Sequence, residues 1–413
     1  MQKLADLDLL HLPLEDDEFA RNPWPWFDRA RDTHPWLANS SEGFVINDYA
    51  AAKDMLYMAN RTEEAGKSVV ALMNAEGTPW GRFQVENIMA LDGEEHRRLR
   101  HAVGPMFTPQ QAERFRPLMR EVISELLDEW VPRGTLDFHE FAANFPITVM
   151  CRMIGASTDE LPRLLASLEA FGMSFCLDPN MLPELEDAMA VLDDFVQELV
   201  AERRAGKRTA EDPDLLDALI SAVDKGDLTE REAGDMLIFL FVGGYDTSKN
   251  LLTLTMQKML ECPEIYERCA EDLAYCRKVV EEVARYNAVS TLYRRTIVDI
   301  EYRDVLIPAG TMLIFPVSTL GRDPNAFEDG FDFKPEREYV NKQIGFGHGV
   351  HICLGQFIAR AQIQEGLHLI ARRIRNPKLA GPVEYRGFIG VWGLRTLPIE
   401  FEPVGREAET LVN

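Results

Sequence analysis

Ten consecutive residues constrain this chain more than any others: Phe346-Gly347-His348-Gly349-Val350-His351-Ile352-Cys353-Leu354-Gly355. One cysteine stands in a glycine-punctuated loop and is followed by a helix-forming run, Gln356-Phe357-Ile358-Ala359-Arg360. A thiolate persists beside positive potential and N–H donors, and a loop feeding a helix N-terminus supplies both. The glycines let the backbone curl through φ > 0 and let a large flat cofactor come close. Such a segment can present one sulfur to one metal on one open face. Two plainer readings compete: the cysteine as a small buried hydrophobe, and the loop as a phosphate cradle or bare turn. Agreement with distant segments decides between them.

Three further signatures stand in order along the chain. They are Gly243-Gly244-Tyr245-Asp246-Thr247, Glu282-Val283-Ala284-Arg285 and Pro335-Glu336-Arg337. The ten-residue segment fits Phe-Gly-x-Gly-x-His/Arg-x-Cys-x-Gly at every fixed position. Together these resemble the cytochrome P450 family, in its soluble, bacterial-type haem-thiolate monooxygenase form. The three shorter motifs resemble its oxygen-activation motif, its Glu-x-x-Arg and its later arginine motif. The resemblance covers essentially all 413 residues, because the N-terminal half fits in helix rhythm and in His96-Arg97-Arg98-Leu99-Arg100. A Glu-x-x-Arg by itself arises by chance in most helical proteins; four motifs in the right order carry weight.

The resemblance implies a mainly α fold with a minor β region: a long central helix over haem b (iron protoporphyrin IX), small antiparallel sheets, and one domain over residues 1–413. It implies Cys353 as the axial ligand of the iron, within a cofactor-binding loop that includes Phe346, Gly347 and Gly355. It implies that His96 and Arg100, one helical turn apart, meet the haem propionates with Arg294 and His351. Arg97 and Arg98 on the same helix are expected to be solvated or to face an acidic electron donor. Asp246 and Thr247 become the catalytic pair, with Thr247 bonding dioxygen at the iron and Asp246 relaying protons from solvent. Gly243 and Gly244 cost roughly 1 kcal/mol each in mid-helix relative to alanine, which is tolerated where something must come close or the helix must kink. A plainer alternative is a packing notch with the Thr247 hydroxyl bonded back to a carbonyl. Glu282, Arg285 and Arg337 are implied as a structural triad, the carboxylate held bidentately between guanidiniums. Two departures from the family pattern are mild: Gly243 where alanine is common, and Glu338 where an aromatic is frequent.

By analogy, the substrate pocket takes Val70, Leu72 and Met73; Phe171 and Phe175; Ile238, Phe239, Val242 and Gly243; Val289 and Leu292; and Ile389 and Val391. Aliphatic and aromatic side chains suit an uncharged hydrophobic small molecule of the terpenoid, steroid or aromatic class. No arginine is clearly placed to hold a substrate carboxylate, with Arg82 and Arg395 left open. The implied reaction inserts one oxygen atom from O2 into that substrate. Without a flavin or iron–sulfur segment, electrons are expected from a separate ferredoxin and ferredoxin reductase. Two alternatives stay open: a haem-thiolate enzyme using peroxide or performing another reaction, and a non-catalytic haem sensor or ligand-binding protein. The Asp246-Thr247 pair argues against the first, and retention of every activation residue against the second.

Bulk properties narrow the partners. Lys+Arg 44 against Asp+Glu 68 gives a net charge of −24, which disfavours nucleic acid and anionic membrane surfaces. Six cysteines in so long a chain make no disulfide framework. Cys262, Cys269 and Cys276 recur every seven residues, about two helical turns apart and too far for shared ligation. They read as ordinary positions on separate helices. Met1 to Glu15 mixes acidic and leucine residues with Lys3 its sole basic side chain, so neither signal peptide nor membrane anchor is expected, and the location expected is cytoplasmic.

Apolar spacing predicts successive helices from about Glu94 to Gly206, broken at Pro109, around Pro132-Arg133-Gly134, and at Asp178-Pro179-Asn180. Thr229-Glu230-Arg231-Glu232 predicts a capped start for a long helix to about Glu261, ended by Pro263. Strands are predicted over Arg295 to Tyr302, Val305 to Ile307 and Met312 to Pro316. Gly321 to Gly345 reads as irregular, a length that calls for a functional reason.

Overall fold

The computed structural model describes residues 2–174, 177–206, 214–338 and 342–410. Its longest helix runs Glu230–Glu261, and the start is a reciprocal cap. The Thr229 hydroxyl accepts the Glu232 N–H at 3.2 Å, and the Glu232 carboxylate accepts the Thr229 N–H at 2.8 Å. Two donors that a helix start leaves orphaned are thus satisfied. Pro263 cannot continue the ladder and opens the next helix, Pro263–Glu271. The central helix is packed on by Phe138–Met153, Leu161–Met173, Leu182–Arg204 and Gln356–Arg373. Pro109–Trp130 packs in turn on Gln356–Arg373. The predicted breaks are present: Thr108 caps a helix with Pro109 at its first position, Gly134 takes φ 69°, and Asp178 caps a short turn at Pro179.

The main core gathers apolar residues from these helices, including Trp80, Phe141, Phe145 and Phe241. A smaller cluster built on Trp36, Leu37, Ile46, Leu313 and Phe315 lies against a five-stranded sheet. That sheet runs in the order Leu37–Asn39, Phe44–Ile46, Met312–Phe315, Leu292–Thr296, Thr62–Glu64. Sheets are small as expected but not wholly antiparallel: Phe44–Ile46 pairs Met312–Phe315 in parallel, and Gln2–Lys3 pairs Val305–Ile307 in parallel. The predicted strand from Arg295 to Tyr302 is two strands in different sheets, Leu292–Thr296 and Ile300–Tyr302. Arg303 and Asp304 both take positive φ, 45° and 64°, the tight hairpin geometry that folds Ile300–Tyr302 onto Val305–Ile307 instead.

From Gly321 to Glu338 neither helix nor strand forms, as the sequence predicts. Cys269 and Cys276 lie on separate helices, with the Cys276 thiol donating to the Cys269 carbonyl at 3.3 Å. Cys176 lies outside the described residues. Among the described residues, no helix is long and apolar enough to cross a membrane.

Candidate active site

The cysteine loop is closed by the Cys353 N–H donating to the Phe346 carbonyl at 2.8 Å. Gly347 and Gly349 stand at φ 79° and 76°, and a Cβ on Gly349 would lie 2.7 Å from the Leu56 carbonyl oxygen. Gly355 differs from the expectation for these glycines. Its φ is −81°, so it strains nothing, and a Cβ there would meet nothing within 4 Å. It forms the N-cap of Gln356–Arg373, where the N–H groups of Gly355 and Gln356 favour a thiolate on Cys353. Burial raises the thiol above its usual range, against the pull of those N–H groups, Arg360 and Arg100. Arg360 also sits 4.0 Å over the Phe346 ring. A metal cation in place of the proton reverses the balance. Cys353 keeps an open face. A sulfur with anion-stabilising donors, one open side and glycine clearance fits a single thiolate that would hold a haem iron.

The four residues expected at the propionates converge. On the helix Gly93–Val103, His96 packs against His351 with ring centroids 4.2 Å apart and tilted by 34°, and Arg100 donates to the Ile352 carbonyl at 2.5 Å. Arg294, buried on Leu292–Thr296, is also near His351. The sequence reading missed two carboxylates among them. Glu64 lies 2.5 Å from Arg294, and Asp92 lies 3.0 Å from His351 Nε2. Burial, helped by His351 and Arg100, pushes His96 down to about 4. Arg98 is not simply solvated: it bonds Glu232 and donates to the Asp227 carbonyl at 3.0 Å, tying this helix to the start of the central one.

On the central helix, Phe239, Gly243 and Thr247 recur every four residues and stay partly open on a helix otherwise largely buried. A Cβ on Gly243 would meet only the Phe239 ring, at 3.6 Å. The Thr247 hydroxyl donates to the Gly243 carbonyl at 2.6 Å, the back-bond of the plainer alternative. Asp246 points elsewhere and is fully enclosed. It takes a hydrogen bond from Arg386 at 2.6 Å and one from the Asn250 amide at 3.0 Å, and Lys249 lies 3.2 Å away. Burial would raise its carboxyl, but Arg386 and Lys249 overcome that and hold it below the usual carboxylate range. Lys249 also reaches Glu169 at 2.5 Å, and Tyr245 donates to the same carboxylate. Neither Lys249, Arg386 nor Glu169 was legible as a partner, since only the fold joins them. Gly172 permits the enclosure: a Cβ there would lie 2.6 Å from Asp246 Oδ2. Gly172→Ala is therefore expected to cost about 1–3 kcal/mol of stability by overpacking. Denaturant titration checks this, and an unchanged midpoint would mean that Leu161–Met173 slides freely.

Of the apolar pocket residues, Leu292 is partly open, and Val242, Val289, Ile389 and Val391 are buried. Ser290 bridges to Val391, which brings the segments carrying Val289 and Leu292 beside the one carrying Ile389 and Val391. Ile238 and Met73 are wholly enclosed in the core and Leu72 faces solvent, so Phe239 rather than Ile238 is the open residue of that turn. Phe171 is buried edge-on against Phe83 at 5.8 Å; Phe175 lies outside the described residues. Arg82, left open as a carboxylate holder, is already paired with Asp235 at 2.6 and 2.9 Å and with Glu86 at 3.0 Å.

Glu282 and Arg285 form a fully buried pair on the helix Leu273–Tyr286, with Arg285 Nη2 2.6 Å and Nε 2.8 Å from the carboxylate. Arg285 donates onward to the carbonyls of Gly321, Gly330 and Asp332. Arg337 lies 3.4 Å from Glu282 and donates to the carbonyls of Glu328, Asp329 and Asp332. The irregular stretch thus satisfies its backbone on two guanidiniums instead of in a sheet.

A family model described as Cytochrome P450 matches residues 38–375. Luteothin monooxygenase of Streptomyces thioluteus is 29% identical over 403 residues, covering 95% of this chain and 96% of the relative. Cytochrome P450 monooxygenase PikC of Streptomyces venezuelae is 27% identical over 420 aligned positions, covering 98% of this chain and 97% of that one. Among solved structures, the cytochrome P450 enzyme CxnD, for C–S bond formation in chuangxinmycin biosynthesis, superposes with a TM-score of 0.85. It covers 96% of this chain and 99% of its own at 24% identity, a likeness of fold.

Proposed function

The chain belongs to the cytochrome P450 family, and on that premise we propose how its own residues serve the reaction. It is a monooxygenase and binds haem b. When bound, the haem supplies the activation of dioxygen, so that with two electrons and two protons one oxygen atom enters the substrate and the other leaves as water. The observation that carries the reading is the Cys353 sulfur, set at a helix start whose Gly355 and Gln356 N–H groups favour its thiolate. In this reading Cys353 would hold the haem iron through its sulfur, and those donors would temper its basicity. His96, Arg100, Arg294 and His351 receive the propionates.

Protons enter at Glu169, whose side chain keeps 39% exposure while Lys249 and Asp246 are enclosed. Lys249 can hand a proton to Asp246 and regain one from Glu169, since it lies 3.2 Å from the first and 2.5 Å from the second. Thr247 can release the Gly243 carbonyl and turn its own O–H toward the open side of the helix. Glu282, Arg285 and Arg337 do no chemistry and keep the irregular stretch in place. The substrate is an uncharged hydrophobic small molecule of the terpenoid, steroid or aromatic class, supported by the apolar set Phe239, Val242, Leu292, Ile389 and Val391. Electrons come from a ferredoxin and its reductase in the cytoplasm, and the whole chain works as one domain.

Reduced protein under carbon monoxide is expected to show the thiolate-type absorption band, and Cys353→Ala to lose it. The same band in the variant would overturn the assignment. Donor proteins with dioxygen should yield product; equal turnover on peroxide without donors would replace the monooxygenase route with the peroxide one.

A further inference from the structure

The propionate cradle is more acidic than its task demands. Glu64 on Thr62–Glu64 stands directly opposite Arg294 in antiparallel register, and the two side chains form an ion pair at 2.5 Å. The Glu64 N–H is bonded to Asp92 Oδ2 at 3.2 Å, and the other oxygen of Asp92 is 3.0 Å from His351 Nε2. His351 Nδ1 lies 3.9 Å from Glu64, and the His96 ring packs against His351 at 4.2 Å. Arg100 is bonded to the Ile352 carbonyl. On the neighbouring strand position, Glu63 pairs with Arg295 at 3.3 Å and faces outward.

Three of the four groups that should meet a propionate therefore already have an internal partner: Arg294 has Glu64, His351 has Asp92, and Arg100 has a carbonyl. Two incoming carboxylates bring two negative charges beside two that are already present. Arg294 and Arg100 bring two positive charges against the four carboxylates then present, so uptake of a proton by one of the acidic groups relieves the imbalance. Asp92 is the poorer acceptor. Burial would raise it, but the hydrogen bond and charge of His351, with Arg294, hold it below its ordinary value. Glu64 is the better one, because burial, with Asp92 adding to it, outweighs Arg294 and pushes its carboxyl up to about 7.

We propose that Glu64 is the proton acceptor of the cradle: it holds Arg294 while no propionate is there and takes up a proton when one arrives, so haem retention weakens as pH rises. This rests on the haem assignment above. The sign follows from linkage. A carboxyl more basic in the loaded protein than in the unloaded one ties loading to proton uptake, and affinity falls by up to tenfold per pH unit between its two pKa values.

Holoenzyme is mixed with apomyoglobin as haem acceptor at a series of values from about pH 6 to about pH 9, and the partition of haem is read by absorption. Glu64→Gln keeps the size of the side chain and an oxygen for Arg294, but cannot titrate. Taking the ratio of variant to wild-type retention cancels the acceptor's own pH dependence. That ratio is expected to stay near its acid value at first and then climb, reaching at least about tenfold at the alkaline end. Glu63→Gln, on the outward side, should give a flat ratio. A weakly buffered transfer followed with a pH indicator should show proton release from wild type, and markedly less from Glu64→Gln. A flat ratio for Glu64→Gln, with the thiolate band intact, would assign the proton to His96 or His351 and overturn this inference alone. Absence of that band from wild type at every pH would overturn the haem assignment and this inference with it.

Discussion

Glu282→Ala is expected to yield no haem-loaded protein and to lower the free energy of unfolding by about 3–5 kcal/mol. The magnitude comes from what is left behind rather than from what is lost. Glu282 and Arg285 are enclosed together, and removing the carboxylate strands a guanidinium without a counter-charge in a water-poor interior. The damage also spreads along the chain. The Lys334 N–H donates to Glu282 at 2.8 Å, and Arg285 and Arg337 between them hold the carbonyls of Gly321, Glu328, Asp329, Gly330 and Asp332. This stretch has no sheet to fall back on and leads directly into the cysteine loop. Loosening it should therefore remove haem as well as stability. Glu282→Gln, which keeps the shape but not the charge, should be hurt less. Haem content and denaturant midpoint report the two effects separately, and soluble Glu282→Ala with full haem would refute the structural role.

How much of this was legible beforehand follows a physical divide. Positions whose identity is forced locally were readable: Gly347 and Gly349 by positive φ, the Thr229 start by its reciprocal cap, Cys353 by what precedes and follows it. The i, i+4 spacing of His96 and Arg100 was readable for the same reason. What the sequence hid depends on strand register and on long-range closure. Glu64 faces Arg294 only because Thr62–Glu64 forms the edge of the five-stranded sheet, and a three-residue strand leaves no alternation to read. Arg386 meets Asp246 across 140 residues of chain. The stretch from Ile297 to Asp299 carries β-branched residues and reads as strand, yet it is where the chain changes sheets. Ile238 shows the limit of reasoning from a helical stripe: its neighbour Phe239 is the open one, and one position on a helix turns the side chain by about 100°.

Among variants that keep the haem, the largest effect on turnover is expected at Asp246. Asp246→Asn should slow product formation by about 10²-fold or more, the usual scale for removing a positioned proton donor, and should enlarge the solvent isotope effect. The carboxylate is the meeting point of the buried charges: Arg386 and Lys249 converge on it, and Lys249 links it to the partly exposed Glu169. An asparagine fits the same space but can neither accept a proton from Lys249 nor pass one on. Thr247→Ala should behave differently, leaving electron consumption largely intact while diverting it to peroxide, because proton placement rather than supply is lost. The pH behaviour separates this role from plain ion pairing. Arg386 and Lys249 hold the Asp246 carboxyl below its ordinary value. Its stabilising contribution is thus complete above the unfolded carboxylate pKa of about 4 and is lost only as pH falls through the lower folded value. Stability of wild type relative to Asp246→Asn should accordingly be flat from neutral pH down to about 4, while turnover of the variant stays low throughout that range. A variant that is merely less stable, yet turns over normally once saturated with substrate at low temperature, would reduce Asp246 to a structural anchor and move the proton route elsewhere.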